Sequence, residues 1–383
     1  MRVLNTCRMI LFTGFFCLLS CKDQPILFTK LSEKETHINF NNTVFESDNF
    51  NINTYLYAHN GGGVALADFN NDGLPDIYFT SNQKANQLFL NKGDFQFDDV
   101  TMRAGVSGPV GEGIWCTGVT VVDINQDGWL DIYVNYLWDG KMFYGENKLL
   151  INKGDGTFEQ KAKDYGLDLK GYSQQSVFFD YDNDGDLDMY QLNHSVHDLE
   201  VYVKVEKRLE RDHLAGDRLF ENQSGTYVDV SEEAKIFGGA TGYGLSVAIA
   251  DLDDNGCADI YVSNDFHDND YVYYNQCDGT FKEDVKNSTS RTSTFSMGSD
   301  IADVNNDGLL DIMTLDMKPE DEVVRKKSAG ADPYNIYEYK KSFGYNDQFP
   351  HNMLQLNRGN LFEGHSQFSE VAQMAGVDAT DWS

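Results

Sequence analysis

The chain is poor in positive charge and in proline. Its 383 residues include 30 Lys and Arg against 61 Asp and Glu, a formal net charge of −31, and 6 Pro against 34 Gly. Because phosphate contacts require clustered Lys and Arg, this balance argues against a nucleic-acid-binding protein. Few Pro and many Gly favour a turn-rich β protein. With 41% hydrophobic and 13% aromatic residues the chain can still build a large core, which excludes a disordered acidic tail.

Long hydrophobic runs are also scarce. The run from Met9 to Leu19 is too short to cross a bilayer as a helix, but it has the length of the apolar region of a secretory signal peptide. Its end, Leu18-Leu19-Ser20-Cys21, resembles a bacterial lipobox, in which the cysteine is lipidated. We therefore expect residues 1–20 to be a lipoprotein signal peptide, Cys21 to carry a lipid and residues 21–27 to be a tether. The expected location is the outer membrane, with surface exposure left open; an ordinary signal peptide with an incidental cysteine is the alternative.

Five segments share the pattern D-x-[DN]-x-[DN]-G-x-x-D, at residues 68–76, 123–131, 180–188, 251–259 and 303–311. Oxygen-bearing side chains occupy positions 1, 3, 5 and 9 of every copy. Glycine occupies position 6, where the loop must turn sharply with a positive φ. Position 7 varies freely, as expected where the ligand is a backbone carbonyl. Hard oxygen ligands at these intervals indicate Ca²⁺. The predicted calcium ligands are Asp68, Asn70, Asp72, Leu74, Asp76, Asp123, Asn125, Asp127, Trp129, Asp131, Asp180, Asp182, Asp184, Asp186, Asp188, Asp251, Asp253, Asn255, Cys257, Asp259, Asp303, Asn305, Asp307, Leu309 and Asp311.

These loops are not EF-hands. An EF-hand needs a bidentate Glu at position 12 and two flanking helices, whereas position 12 here is Phe79 in the first copy and Thr314 in the fifth, and strand-like segments flank each loop. Acidic turns without metal are the alternative. Since Asn255 replaces aspartate at position 5 of the fourth copy, that site is expected to be weaker.

A second landmark follows every loop. It is a short strand that ends in Asn, such as Leu88-Phe89-Leu90-Asn91, and an aromatic-led strand comes next, beginning at Phe97 in the first repeat. Each repeat thus contains about four strands, the content of a propeller blade, and radial closure of blades removes exposed sheet edges. We predict an all-β fold, a β-propeller of four-stranded blades over residues 28–383.

The loops resemble those of FG-GAP/VCBS-type repeat proteins, the integrin-α-like propellers. More narrowly, four stretches are similar to bacterial lipoproteins related to cartilage acidic protein, which carry a C-terminal ASPIC/UnbV domain: Asn60-Gly61-Gly62-Gly63-Val64, Ser263-Asn264-Asp265-Phe266, Ser296-Met297-Gly298-Ser299-Asp300 and Thr380-Asp381-Trp382-Ser383. The resemblance implies seven blades, whereas the spacing indicates five repeats, and it places any ASPIC/UnbV segment beyond residue 383. It also implies partners among surface glycans, envelope proteins or outer-membrane transport machinery.

The two ends of the repeat array predict further features. Phe28-Thr29-Lys30-Leu31-Ser32 resembles the fourth strand of a repeat, so we expect residues 28–32 to form the last strand of a blade. At the other end the pattern stops before a sixth loop, and we expect the chain to be part of a longer protein.

Two insertions interrupt the regular spacing of the repeats, at residues 196–214 and 317–350. Long loops on a rigid scaffold often carry function, although decoration is equally open. The second insertion contains four tyrosines that either stack on sugar rings or pack against the propeller rim: Tyr334, Tyr337, Tyr339 and Tyr345.

Three cysteines lie outside the signal peptide and Cys21. In an up-and-down blade, the loop that holds Cys257 and the turn that holds Cys277 lie at the same end, so we predict a disulfide between them. Cys116 lies in a Gly-rich apolar strand and is predicted to be a buried thiol.

Two polar clusters are candidates for catalysis or a transition metal. They are Asn193-His194-Ser195 with His197, and Asp265 with His267, Asp268 and Asp270. Sequence proximity does not supply the convergent geometry that catalysis needs, and the common nucleophile, zinc-protease and phosphate-loop motifs are absent from the sequence. We therefore predict a calcium-binding lipoprotein scaffold for glycans or envelope proteins, not an enzyme. The alternative is an extracellular polysaccharide-acting enzyme with its site on the propeller face.

Overall fold

The computed structural model describes residues 28–196, 205–266, 268–328, 332–360 and 366–381. The predicted signal peptide, Cys21, the predicted tether, His197 and His267 lie outside these residues. The described part is all-β, with five four-stranded antiparallel meanders in chain order, here called blades 1 to 5, which confirms the predicted blade architecture. The strands of blades 1 to 4 are β1 (Val64–Ala67), β2 (Asp76–Phe79), β3 (Gln87–Asn91), β4 (Phe97–Asp99); β5 (Cys116–Val122), β6 (Asp131–Tyr136), β7 (Lys148–Asn152), β8 (Phe158–Gln160); β9 (Ser173–Phe179), β10 (Asp188–Asn193), β11 (Arg218–Asn222), β12 (Tyr227–Asp229); β13 (Gly244–Ala250), β14 (Asp259–Asn264), β15 (Tyr271–Asn275) and β16 (Phe281–Glu283).

Blade 5 follows a short β17 (Thr292–Ser293) and contains β18 (Gly298–Ala302), β19 (Asp311–Leu315), β21 (Met353–Asn357) and β22 (Phe368–Glu370), while β20 (Gln348–Phe349) pairs in parallel with β17. The helices of the described residues are short and lie before, between or after the blades or in the insertions. They are α1 (Glu33–Thr36), α2 (Thr101–Ala104), α3 (Ala162–Tyr165), α4 (Val285–Ser288), α5 (Glu322–Arg325), α6 (Tyr334–Ser342), α7 (Ala372–Ala375) and a 3₁₀ turn at Val205–Leu209. None of these helices has both the length and the apolar character needed to cross a membrane.

The first strands of successive blades pack against one another in the order β1, β5, β9, β13, β18. Their backbones approach closely, because a Cβ atom on Gly118 would lie 2.4 Å from the carbonyl oxygen of Gln174 in the next blade. The hydroxyl of Thr117 donates to the carbonyl of Ser173 at 2.7 Å across the same boundary. The blades therefore fan out from a shared line of inner strands, as in a propeller.

The apolar core is divided into layers, each between two neighbouring blades. The second strand of a blade has neighbours on both faces, which explains why β6, β10 and β14 are buried at every residue. Each of these strands carries a fully buried tyrosine near its middle, Tyr133, Tyr190 or Tyr261. In Tyr133 the hydroxyl donates to the carbonyl of Leu167 at 2.9 Å, so the one polar atom of the ring is satisfied.

The N-terminal segment differs from the prediction. Residues 28–32 contain no strand, and α1 follows, ending at His37 with a φ of 62°. The short helices after the fourth strands of blades 1, 2 and 5 end in the same left-handed way. The predicted strand at residues 28–32 was therefore wrong, and none of the described strands pairs with these residues.

Residues 40–62, here called the N-terminal strap, cross the end of the blades at which the first strands begin. Phe50 and Tyr55 pack against Trp115 and Phe143, with ring centroids 4.9–6.3 Å apart. Together with residues from blades 2, 3 and 4 they form a separate aromatic cluster. The strap therefore ties several blades together at this end.

The second insertion packs partly on blade 4. The side chain of Gln348 donates to the carbonyl of Asp268 at 2.8 Å, and Tyr345 is buried. Tyr334 is 77% exposed and Tyr339 is 48% exposed. The four tyrosines of this insertion are therefore divided between packing and solvent.

Candidate metal centres

Each aspartate-rich loop joins the first strand of its blade to the second. In blade 1, Asp68 directly follows β1 and Asp76 is the first residue of β2, and the other four loops have the same placement. All five loops consequently lie at one end of the blades, here called the loop end. The N-terminal strap covers the opposite end.

The turn inside each loop depends on two residues with positive φ. Glycine at position 6 has φ values from 85° to 96°, as the sequence predicted. Position 4 is also left-handed, at Asn71, Gln126, Asn183, Asp254 and Asn306, with φ values from 55° to 62°. Position 4 is a feature that the repeat pattern left unassigned; its signal in the sequence is the frequency of Asn and Asp, the residues that tolerate this conformation best after glycine.

Side-chain oxygens in the loop are held by the loop's own backbone. The carboxylate of Asp68 accepts the N–H groups of Asp72 at 3.0 Å and Gly73 at 2.7 Å, and Asp72 accepts the N–H of Leu74 at 2.9 Å. The same bonds recur in the other four loops. The side chains at positions 1 and 5 are therefore already oriented within the folded loop.

Three carboxylates converge in the third loop, and three more converge in the fourth. Oxygens of Asp180, Asp182 and Asp188 lie within 4.8 Å of one another, and those of Asp251, Asp253 and Asp259 do the same. In the fourth loop Oδ1 of Asp253 is buried and has no hydrogen-bond partner. Within the described part of the chain, no Lys or Arg pairs with a loop aspartate. This donor set, with its unsatisfied buried oxygen, fits a hard cation.

The aspartate at position 9 has a structural task as well. In blade 1 the carboxylate of Asp76 accepts the N–H of Phe69 at 2.9 Å and the N–H of Asn91 at 2.8 Å. The equivalent bonds are present in the other blades. This aspartate thus joins the loop to the backbone of the residue that ends the third strand.

That asparagine also connects neighbouring blades. Asn152 of blade 2 donates to the carbonyl of Phe69 in blade 1 at 2.9 Å, and Asn275 of blade 4 donates to the carbonyl of Tyr181 in blade 3 at 2.7 Å. Asn357 of blade 5 makes the corresponding bond to Leu252 in blade 4 at 2.9 Å. The loop, the third strand and the next blade are therefore one hydrogen-bonded unit.

Burial raises the pKa of the position 9 carboxyls, to about 6 for Asp76 and Asp131 and to about 7 for Asp188 and Asp259. The backbone N–H groups that bond to them lower the pKa, and the neighbouring loop aspartates raise it further. In the loops, desolvation and repulsion between neighbouring aspartates therefore both disfavour the charged carboxylates.

A disulfide fastens the fourth loop to its own blade. Cys257, at position 7, is bonded to Cys277 in the turn between β15 and β16, with the two Cα atoms 5.9 Å apart. This is the pair that the sequence indicated. The side chain of Cys257 is thereby occupied, and its backbone carbonyl is the atom that the loop offers at this position. Cys116 is a buried free thiol.

One described residue from each of the two polar clusters, His194 and Asp265, contacts a tyrosine of the N-terminal strap. His194 is fully buried, and its Nε2 lies 3.1 Å from the hydroxyl of Tyr55. Burial lowers the pKa of His194 to about 3. The carboxylate of Asp265 accepts a hydrogen bond from the hydroxyl of Tyr57 at 3.3 Å. Both residues hold the N-terminal strap against the blades.

A second hydrogen bond that recurs in every blade lies at the opposite end, and it was not predicted from the sequence. The residue directly before each third strand is Asn or Asp, and its Oδ1 accepts the N–H of the residue that ends or follows the second strand. The five residues are Asn86, Asn147, Asp217, Asp270 and Asn352. A signal was present in the sequence, because all five carry a short side chain with a carbonyl-type oxygen at the same offset.

Comparison with known proteins agrees with this geometry. The model of the FG-GAP-like repeat matches residues 68–134, 139–190 and 253–314, which contain four of the five loops. The chain is 25% identical over 235 residues to cartilage acidic protein 1 of Xenopus tropicalis, covering 60% of this chain and 33% of that protein. For the Homo sapiens protein the identity is 25% over 205 residues, covering 53% and 28%. The chain thus spans about a third of the length of these relatives.

Two solved structures match the chain at low TM-scores. One is an Agrocybe aegerita lectin described as specific for non-reducing terminal N-acetylglucosamine, with 16% identity, a TM-score of 0.40 and coverage of 80% of this chain and 65% of the lectin. The other is the V. cholerae biofilm matrix protein Bap1, with 12% identity, a TM-score of 0.33 and coverage of 66% and 34%. The repeat matches and the blade geometry together show that the chain carries FG-GAP-like repeats folded as four-stranded blades, with weak similarity to cartilage acidic protein 1.

Proposed function

We propose that this protein is a calcium-stabilised binding scaffold of the cell envelope, held at the outer membrane by a lipid on Cys21. Its partners would be glycans or envelope proteins. The observation that supports calcium binding is the convergence of three carboxylates in each of the third and fourth loops. In the fourth loop, one buried oxygen of Asp253 has no hydrogen-bond partner.

The residues at positions 1, 3, 5 and 9, with the carbonyl at position 7, would hold Ca²⁺ in each loop. Calcium supplies positive charge that offsets the clustered carboxylates and fixes the connection between the first and second strands. The third loop has aspartate at all four side-chain positions, whereas the fourth has Asn255 at position 5, and its Nδ2 donates to the carbonyl of Asn275 at 2.9 Å. The third loop is therefore expected to bind Ca²⁺ more tightly than the fourth.

Thermal unfolding with and without calcium tests this proposal. Sites of extracellular modules have dissociation constants of about 10⁻⁴–10⁻³ M, so 10 mM Ca²⁺ should stabilise the fold by about 1.4–2.7 kcal/mol per occupied site. We expect a higher melting temperature in Ca²⁺ than in EDTA, and a smaller effect of Mg²⁺, which demands a stricter geometry. An unchanged melting temperature across a full calcium titration would contradict the proposal.

A matched pair of variants separates ligand loss from a general charge effect. Asp184→Asn at position 5 keeps an oxygen that can accept the N–H of Asp186, bonded at 3.0 Å, but removes one negative charge from the loop. Asp155→Asn removes the same charge from a turn outside the loops, where Asp155 accepts the N–H of Thr157 at 3.0 Å. Calorimetric titration should show weaker calcium binding in the first variant and wild-type binding in the second.

A binding role is favoured over catalysis by what surrounds the candidate residues. His194 lies beneath Tyr55 and Tyr57 of the strap, with ring centroids 5.9 and 4.8 Å away, and its side chain is fully buried among the described residues. Polysaccharide turnover that is lost in a His194→Ala variant with an unchanged melting temperature would instead support the enzyme.

The anchoring proposal rests on the lipobox-like end of the apolar run and needs its own test. Expression of the wild type and of Cys21→Ser in a Gram-negative host, followed by membrane fractionation and intact-mass measurement, distinguishes the outcomes. A lipid mass on Cys21 and release of the variant from the membrane are expected. An unlipidated, soluble wild type would overturn this part while leaving the calcium proposal intact.

A further inference from the structure

A groove of about 830 Å³ lies between the N-terminal strap and blade 2, away from the loop end. One wall is residues 45–50 of the strap, and the other is formed by residues 111–115 and 141–144, which precede β5 and β7. Trp115 and Phe143 lie at its base and are buried. A second cavity of about 390 Å³ beside it shares Met142 and Phe143. Both volumes are in the range of about 300–1,000 Å³ that is typical of small-molecule sites.

Tyr144 presents a fixed aromatic ring on one side of this groove. Its side chain is 52% exposed, yet its hydroxyl donates to the carbonyl of Lys141 at 2.6 Å and its N–H donates to the carbonyl of Gly113 at 2.9 Å. A Cβ atom on Gly113 would lie 2.5 Å from the ring, so the ring rests directly on glycine backbone. The exposed ring is thus held in place before any ligand arrives, which lowers the entropy cost of binding.

Phe45 presents a second exposed ring on the other side, on a backbone held by Gln83. Its side chain is 62% exposed, and the side-chain amide of Gln83 bonds to both backbone groups of Phe45, accepting the N–H at 2.6 Å and donating to the carbonyl at 3.3 Å. The ammonium group of Lys84 lies 5.6 Å from the ring centroid and donates to Thr43 at 2.9 Å. These contacts hold the segment around Phe45 in place but leave most of the ring exposed to solvent.

The chemistry around the two rings favours a sugar. Asn49, Glu112 and Lys141 also line the groove and offer donors and acceptors that match hydroxyl groups. An extended peptide would need unpaired backbone groups to add a strand, but the backbone groups described above for Phe45 and Tyr144 are already bonded. A net charge of −31 disfavours uronate-rich or sulfated ligands through long-range repulsion.

We propose that this groove binds a neutral oligosaccharide, whose rings stack on Tyr144 and Phe45 while the polar side chains bond to its hydroxyl groups. The inference rests on the proposed scaffold function and names a ligand class and a place for it. The calcium loops lie at the other end of the blades, so ligand binding and metal binding are separate events.

The test uses hexasaccharides of glucose, mannose, galactose and N-acetylglucosamine as probes. Titration is followed by calorimetry and by tryptophan fluorescence, because Trp115 lies at the base of the groove. At least one probe should bind to the wild type. Tyr144→Ala and Phe45→Ala should each weaken that binding by about 10-fold or more, whereas Tyr144→Phe, which keeps the ring, should retain most of it.

Phe95→Ala is the matched control, since Phe95 is 70% exposed and lies in the turn between β3 and β4, outside the groove. It should bind like the wild type. Melting temperatures of all variants show whether the fold is kept. Failure of every probe, or equal binding by Tyr144→Ala and the wild type, would overturn the proposal. Loss of binding in Tyr334→Ala alone would also overturn it, because the site would then lie in the second insertion.

The outcome is distinguishable from that of the calcium experiment. Oligosaccharide binding without any calcium effect on the melting temperature would remove the metal proposal and leave this one. Calcium stabilisation without binding of any probe would do the reverse. Competition of a bound probe by unrelated peptides at similar concentration would show a peptide groove and contradict the sugar assignment.

Discussion

The residue directly before each third strand shows how one position can carry either an amide or an acid. In blades 1, 2 and 5 this residue is Asn, and in blades 3 and 4 it is Asp217 or Asp270. Asp217 accepts the N–H of Asn193 at 2.8 Å and the hydroxyl of Tyr190 at 2.8 Å. Asp270 accepts the N–H of Asn264 at 2.9 Å and the hydroxyl of Tyr261 at 2.7 Å. The acid therefore uses the same backbone bond as the amide, with a charge added.

Burial raises the pKa of both carboxyls to about 7. The hydrogen-bond donors lower the pKa of each carboxyl, and the positive charge of Arg211 lowers that of Asp217 further. Repulsion from Asp268 raises the pKa of Asp217, and repulsion from Asp316 raises that of Asp270. An aspartate in the unfolded chain has a pKa of about 4, so the folded state binds the proton more tightly than the unfolded state does. The stability that this provides is complete at low pH and is lost as the pH rises from about 4 to about 7.

We expect Asp217→Asn and Asp270→Asn to melt at higher temperatures than the wild type at pH 8, and to lose this advantage near pH 4.5. The physical reason is that the amide keeps the backbone bond without a buried charge. The measurement is a series of melting curves from pH 4.5 to pH 8.5. The converse change, Asn86→Asp, should lower the melting temperature more at pH 8 than at pH 5. A variant curve parallel to that of the wild type would contradict the argument.

At the scale of elements, the fourth loop and the third and fourth strands of blade 4 act together. The disulfide between Cys257 and Cys277 spans 20 residues, and closing a chain loop of this size lowers the entropy of the unfolded state by an amount worth about 3 kcal/mol. Position 9 of the same loop, Asp259, accepts the N–H of Asn275 at 2.7 Å. The covalent bond and the hydrogen bond thus hold the same loop to the same hairpin.

We expect a Cys257→Ala/Cys277→Ala double variant to unfold at a clearly lower temperature and to bind calcium less tightly, because its fourth loop is less ordered. Calorimetry of both proteins with and without a thiol reductant provides the measurement. The reductant should lower the melting temperature of the wild type and leave the double variant unchanged, since Cys116 is a buried free thiol in both. Equal sensitivity of the two proteins to the reductant would show that the bridge does not contribute.

At the scale of the whole molecule, the blades are joined in two different ways at their two ends. At the loop end, asparagines at the ends of third strands bond to the preceding blade, as Asn152 does to Phe69. At the opposite end, the N-terminal strap packs on residues from several blades, with Tyr55 at its centre. Tyr55 contacts Phe50, Trp115 and Phe143, and its hydroxyl lies 3.1 Å from His194.

We expect Tyr55→Ala to release the strap while the blades stay folded. Loss of a large buried ring costs about 3–5 kcal/mol, so amide hydrogen exchange in residues 40–62 should become at least about 100-fold faster. Tyr55→Phe removes only the contact with His194, worth about 1 kcal/mol, and should have a much smaller effect. The strands of blade 5 serve as the internal reference in the same mass-spectrometric experiment. Equal acceleration in blade 5 and the strap would show global destabilisation instead.

Much of this architecture is readable from the sequence, because it depends on short-range physics. The loop pattern, glycine at position 6 and the strand that ends in Asn are set by turn chemistry and by alternation within about ten residues of chain. The number of strands in a repeat and the shared end of Cys257 and Cys277 follow from these local signals. The calcium ligands and the lipid anchor were also derived in this way, and they stay predictions.

Other features were decided only when distant parts of the chain met. Nothing local in residues 28–32 shows that no described strand pairs with them, and nothing near Tyr55 in the sequence indicates His194 as its neighbour. The groove between Phe45 and Tyr144 exists because the strap and blade 2 pack side by side, about a hundred residues apart in sequence. Local patterns specify turns and strands, whereas packing between remote segments depends on the shape and burial of the whole molecule, which periodicity does not encode.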